Sequence, residues 1–89
     1  MGKKKMLIMN PADNVGVVLE DVSKGDLCYC NNSAWVASED IPFGHKLALK
    51  NIPQNTDIFK YGHKIGYATQ NIIKGQWIHV HNIESERGR

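Results

Sequence analysis

One short phrase returns four times along this chain of 89 residues, and it constrains the fold more than anything else in the sequence. The copies are Asp21-Val22-Ser23-Lys24-Gly25, Asp40-Ile41-Pro42-Phe43-Gly44, Asn51-Ile52-Pro53-Gln54-Asn55 and Asn71-Ile72-Ile73-Lys74-Gly75. Each runs from Asp or Asn through a β-branched apolar residue and two variable residues to Gly or Asn. That is turn chemistry. Asp and Asn bond nearby backbone, Pro presets φ at a corner, and Gly or Asn accepts positive φ. The Val or Ile of each copy is expected to anchor its turn in the core.

Between the turns lie runs of strand character, at residues 6–9, 15–19, 26–30, 34–37, 46–49, 57–61, 65–68 and 77–81. Asn31-Asn32-Ser33 reads as a hairpin turn between the third and fourth. Short strands punctuated every eight to twelve residues predict an all-β domain, a barrel or a convoluted sheet. Residues 15–22 admit a helical turn instead, and no long helical period is visible elsewhere. A single domain over 1–89 follows from the length, with 1–5 and 84–89 read as flexible, solvated ends.

Composition narrows the function classes. No apolar run approaches the roughly 18 residues of a membrane span. The basic start is followed by an apolar stretch that stops at Asn10-Pro11, too short for a secretory signal, so a cytoplasmic location is expected. Net charge is +2, with three of the eleven basic residues in the Lys3-Lys4-Lys5 run and two more at Arg87 and Arg89. The body is close to neutral, so neither a nucleic-acid partner nor a membrane is expected. Cys28 and Cys30 form a C-x-C pair without a second pair, which reads as ordinary thiols rather than a zinc site.

His79-Val80-His81 is the sharpest chemical signal. On a strand, alternate residues share a face, and two imidazoles there can chelate a metal or exchange protons. Half-exposed strand histidines are the plainer alternative, since no third ligand is fixed by spacing. His45 in Gly44-His45-Lys46 closes a turn phrase and sits where functional residues concentrate. His63 reads as the tip of a hairpin. Trp35, Trp77, Tyr61, Tyr67 and Phe59 are expected in the core or at a subunit contact. No nucleophile–base pair and no phosphate-binding loop can be assigned. A catalytic site needs walls that a chain this small does not supply alone, so any catalysis calls for a second, larger partner.

Several linked phrases carry a family resemblance over nearly the whole chain. They are Asn10-Pro11-Ala12-Asp13-Asn14-Val15-Gly16-Val17, then Gly44-His45-Lys46-Leu47-Ala48-Leu49-Lys50-Asn51-Ile52, Lys60-Tyr61-Gly62, Ile65-Gly66-Tyr67-Ala68, Ile78-His79-Val80-His81-Asn82 and the tail from Ile83 to Arg89. In these the chain resembles the N-terminal module, or free small subunit, of the altronate and galactarate dehydratases. The tail ends where fused forms continue, so a separate subunit or an excised domain is expected. The resemblance implies a β-clip (SAF-like) fold and a hydro-lyase acting on sugar acids, inactive without a large catalytic subunit. A related branch, sulfolactate sulfo-lyase, eliminates sulfite with a similar small subunit.

The resemblance further implies a divalent metal, Fe2+ or Mn2+, bound mainly with the large subunit. It places His45, His79 and His81 at or near the catalytic site, with His79 and His81 as metal ligands. Lys46, Lys60 and Asn82 would then contact substrate. Self-association is also compatible with it. A non-catalytic carbohydrate-binding or oligomerisation module is the competing reading. Ice binding is disfavoured, for no flat Thr-rich or Ala-rich face is present.

Overall fold

All four turn phrases end in left-handed backbone: Gly25, Gly44, Asn55 and Gly75 have φ of 93°, 84°, 71° and 92°. The turns then meet in pairs. Val22 and Ile41 exchange both backbone hydrogen bonds at 2.9 Å, and Ile52 and Ile72 do the same at 2.8 Å. The leading side chains reciprocate across each pair. Asp40 accepts the Lys24 N–H and Asp21 accepts the Phe43 N–H, while Asn71 accepts from Gln54 and Asn51 from Lys74. The repeated phrase is therefore one half of a two-part clasp, made twice.

The computed structural model describes residues 2–85 and is all-β, with no helix among them. The strands are β1 (Lys3–Leu7), β2 (Val15–Val18), β3 (Leu27–Cys30), β4 (Ser33–Val36), β5 (Lys46–Ala48), β6 (Asp57–Lys60), β7 (His63–Ala68), β8 (Trp77–Ile78) and β9 (Ile83–Ser85). One curled sheet has the order β4-β3-β1-β2-β5-β8, and a smaller one has β6-β7-β9. The pairing of β1 with β3 is parallel and every other strand pairing is antiparallel.

Two apolar clusters flank the middle of the larger sheet, and each contains one clasp. Met6, Val18, Val22, Cys28, Ala37, Ile41 and Leu47 form the first. Val15, Ala48, Ile52, Ile58, Ala68, Ile72 and Ile78 form the second. Strand alternation explains the division. Leu47 and Ala48 on β5 face opposite clusters, as do Val18 and Val15 on β2. Covered on both sides, β2 is buried throughout. It is a strand, so the helical turn admitted for residues 15–22 does not form.

Two tight hairpins complete the frame. Asn31-Asn32 joins β3 to β4, with Ser33 already paired to Cys30. Tyr61 and Gly62 join β6 to β7 at φ of 56° and 80°, the double positive φ of a turn that matches strand twist. The Gly62 N–H donates to Asp13 Oδ1, and Asn14 bonds both Asp57 O and the Phe59 N–H. The Asn10–Asn14 segment thus ties the small sheet to the large one.

The expectation of a flexible, solvated end at residues 1–5 is corrected for Lys3–Lys5, which form part of β1. Pairing of all three with β3, Lys3 with Leu27, Lys4 with Cys28 and Lys5 with Tyr29, offsets the cost of ordering them. Lys4 is also held by Asp26 at 3.7 Å and by the Asp21 carbonyl at 2.9 Å. At the other end Glu84 and Ser85 belong to β9, while residues 86–89 lie outside the described residues. Both thiols are free, with Cys28 buried and Cys30 half-buried.

Candidate functional site

The antiparallel register of β5 and β8 builds the site. Lys46 pairs with Ile78 and Leu47 with Trp77. Continuing that register one step sets His45 opposite His79. The two rings lie 4.5 Å apart between centroids. Trp77, diagonal to His45 on the same face, lies within reach as such neighbours do. Its indole N–H donates to His45 Nδ1 at 3.1 Å. His79 stacks on Trp77 at 5.6 Å with 9° between planes, and His81 lies tilted at 5.0 Å. Three imidazoles thus gather around one indole.

The structure corrects the picture of His79 and His81 on one strand face. β8 ends at Ile78, and a chain reversal follows. Asn82 causes it. Its Oδ1 accepts the His79 N–H at 3.0 Å, its Nδ2 donates to the Trp77 carbonyl at 2.9 Å, and its own N–H donates to the His79 carbonyl at 3.1 Å. An Asn side chain that bonds nearby backbone competes with a strand ladder, and here it prevails. His79 is half-buried, whereas His81 is exposed and Val80 protrudes at 80% exposure. The rings still converge, through Trp77 instead of strand alternation.

Asn82 was expected at the substrate. It is 2% exposed, with both ends of its amide bonded to backbone beneath the turn. Asn82→Ala is expected to lower chain stability by about 1–3 kcal/mol, because it leaves buried backbone groups unsatisfied. Chemical denaturation would read this out, and no change in midpoint would remove the anchoring role.

Alternation turns Lys46 to the opposite side of β5 from His45, toward Lys60 at the end of β6. Burial pushes the Lys46 ammonium below its ordinary range, and the Lys60 charge adds to the effect. Lys60 itself rests over the Tyr61 ring at 5.2 Å. His79 is likewise lowered, first by desolvation, with the neighbouring His45 ring, the Lys46 ammonium and the His81 ring adding to the effect. A half-buried group with cationic neighbours resists protonation, so His79 stands neutral near pH 7.

His63 opens β7 at an exposed position opposite Lys60, outside the ring cluster, as a hairpin-tip residue does. Trp77 is the functional residue that the sequence reading missed, having been expected in the core or a contact. It does pack on the first cluster, while its backbone N–H donates to Glu39 at 2.9 Å. Its two-residue spacing from His79 was the available signal.

Among the described residues no group of three or more His, Cys, Asp or Glu side chains could hold an ion. His45 Nδ1 is occupied by the indole, and Lys46 adds positive charge nearby. The described residues do not fit a self-contained metal centre.

A β-clip clasp with this histidine corner agrees with the family comparison, whose model for the altronate/galactarate dehydratase SAF domain matches residues 4–86. The chain belongs to this family. Altronate dehydratase of Bacillus subtilis (strain 168) is 39% identical over 82 residues, covering 92% of this chain and 16% of that protein. Galactarate dehydratase (L-threo-forming) of Escherichia coli (strain K12) is 38% identical over 71 residues, 79% of this chain and 13% of that protein. The (2R)-sulfolactate sulfo-lyase subunit alpha of Chromohalobacter salexigens is 35% identical over 86 residues, covering 84% of this chain and 87% of that subunit. This SAF domain therefore spans 13–16% of these two dehydratases and 87% of the lyase subunit. Its relatives are lyases.

Proposed function

We propose that this SAF domain supplies His45, His79 and His81 to the active site of a cytoplasmic sugar-acid hydro-lyase of altronate or galactarate type, completed by a larger catalytic subunit or domain. The observation that carries this reading is the convergence of three imidazoles around Trp77. The cluster lies on an open surface with His81 exposed, so a second polypeptide must wall it before water is excluded.

Elimination from a sugar acid needs a base at the carbon α to the carboxylate and a proton donor at the leaving hydroxyl. His79, neutral beside cationic groups, is suited to take the proton. Lys46, on the other side of β5, adds positive charge to the field at His79. His81, exposed at the rim, is placed to assist the leaving oxygen. Asn82 and Trp77 hold these groups in position. The Fe2+ or Mn2+ implied by the resemblance requires ligands from the partner, and no step is routed through it.

A second reading, sulfolactate sulfo-lyase, is favoured by one observation: the match to that alpha subunit covers 87% of the subunit. The test is to combine the chain with its catalytic partner and assay altronate, galactarate and (2R)-sulfolactate. Turnover of one acid by the complex and none by the chain alone is expected. Turnover of sulfolactate in place of the sugar acids selects the second reading. Failure on all three, with an assembled complex, removes both.

A further inference from the structure

We infer that Trp77 is a positioning residue that fixes His45 as a neutral hydrogen-bond donor, its proton on Nε2 and available to a substrate oxygen. The inference rests on the lyase reading for its catalytic meaning, but its geometry stands apart from that reading. An indole N–H is only a donor. It points at His45 Nδ1 from 3.1 Å, so that nitrogen presents a lone pair and carries no proton. A neutral imidazole with an unprotonated Nδ1 has its proton on Nε2.

The arrangement is braced on both sides. The Trp77 backbone N–H is held by Glu39, its carbonyl by Asn82, and its ring by packing against the first core cluster and against His79. The His45 N–H donates to the Pro42 carbonyl at 3.0 Å, and the His45 carbonyl accepts from Val18 at 2.9 Å. The backbone that carries each ring is thus fixed, and the rings themselves are restrained by packing, the indole on the first core cluster and His45 against Trp77 and His79. The consequence is a division of labour between facing histidines. His79 is the proton acceptor, while His45 polarises or stabilises an oxygen without becoming an imidazolium, as a neutral histidine can. It also takes His45 out of the set of metal ligands, since one nitrogen is engaged and the other is protonated.

The test uses nitrogen-15 NMR of the full chain together with kinetics of the assembled lyase. In the wild-type chain, His45 Nδ1 is expected to show the shift of an unprotonated ring nitrogen, with a coupling across the hydrogen bond to Trp77 Nε1–H. Trp77→Phe keeps an aromatic face for His79 and His81 but has no donor. In that variant the coupling disappears and the His45 shifts move toward a mixture of tautomers. In the complex kcat is expected to fall about threefold to tenfold, the worth of one hydrogen bond, with KM changing less.

A proton on Nδ1 in the wild type overturns the proposal, and so do unchanged His45 shifts or unchanged kcat in Trp77→Phe. The wild-type spectrum decides the tautomer even when the variant does not fold. An assembled wild-type complex inactive on every acid, with Nδ1 still unprotonated, removes the lyase reading and with it the catalytic role of His45, but leaves the tautomer established.

Discussion

Replacing His79 by alanine is expected to lower kcat of the assembled lyase by about 10²–10⁴-fold, the range for losing a general base, while the chain stays folded. The side chain is half-buried on the indole, but its anchoring is done by backbone. The N–H to Asn82 and the carbonyl that receives the Asn82 and Ile83 N–H groups survive the substitution. The ring itself is what chemistry needs, 4.5 Å from His45 and stacked on Trp77. His81→Ala is expected to act in the same direction. Full turnover by both variants would sink the catalytic assignment.

The pH dependence follows from the direction of the His79 shift. Desolvation, with the neighbouring His45 ring, the Lys46 charge and the His81 ring, holds its pKa in the folded chain below 6.5. The unfolded chain therefore takes up a proton first as pH falls. Any stability linked to neutral His79 is complete above about pH 6.5 and is lost as pH descends through the lower folded value. The acid limb of kcat/KM, where the base becomes protonated, is expected in that same window below 6.5. Lys46→Met removes one of the positive neighbours and should move the limb toward the ordinary histidine range.

How much of this was legible in the sequence depends on the range of the interaction. The turn phrases were readable because each needs only local chemistry: a side-chain acceptor, a β-branched anchor and a residue that takes positive φ. That they clasp in pairs was not readable, since Val22 meets Ile41 and Ile52 meets Ile72 only after the chain has curled. The Lys3–Lys5 run misled for the same reason. Three lysines look solvated until β3 pairs with them and Asp26 meets Lys4. The site divides likewise. His45, His79 and His81 could be singled out from their motifs, whereas the strand assigned to His79–His81 failed on one residue, Asn82, whose side chain wins over the ladder. Trp77 escaped notice because its role depends on the β5–β8 register, a non-local fact.

The largest stability effect is expected inside the second clasp, from Ile72→Ala. Ile72 is fully buried among Val15, Ile52, Ile58 and Ile78, and its backbone is bonded in both directions to Ile52. The paired turns hold the backbone in place, so the hole cannot close by collapse. A cost of about 2–5 kcal/mol is expected for such a cavity. Native domains are stable by only about 5–15 kcal/mol, and a chain of this size sits toward the lower part of that range. For a domain of this length each kcal/mol corresponds to roughly 4–8 °C in Tm. Ile73→Ala is the natural comparison, because its side chain is 53% exposed one residue further on. It should change stability by no more than about 0.5 kcal/mol. Thermal unfolding of the two variants side by side is decisive, for both remove the same atoms from adjacent positions. Ile72 shares its cluster with Ile78, the residue before His79, so the variant should lose turnover below its own melting temperature. Equal melting temperatures for Ile72→Ala and Ile73→Ala would mean that the clasp does not pack as a core element.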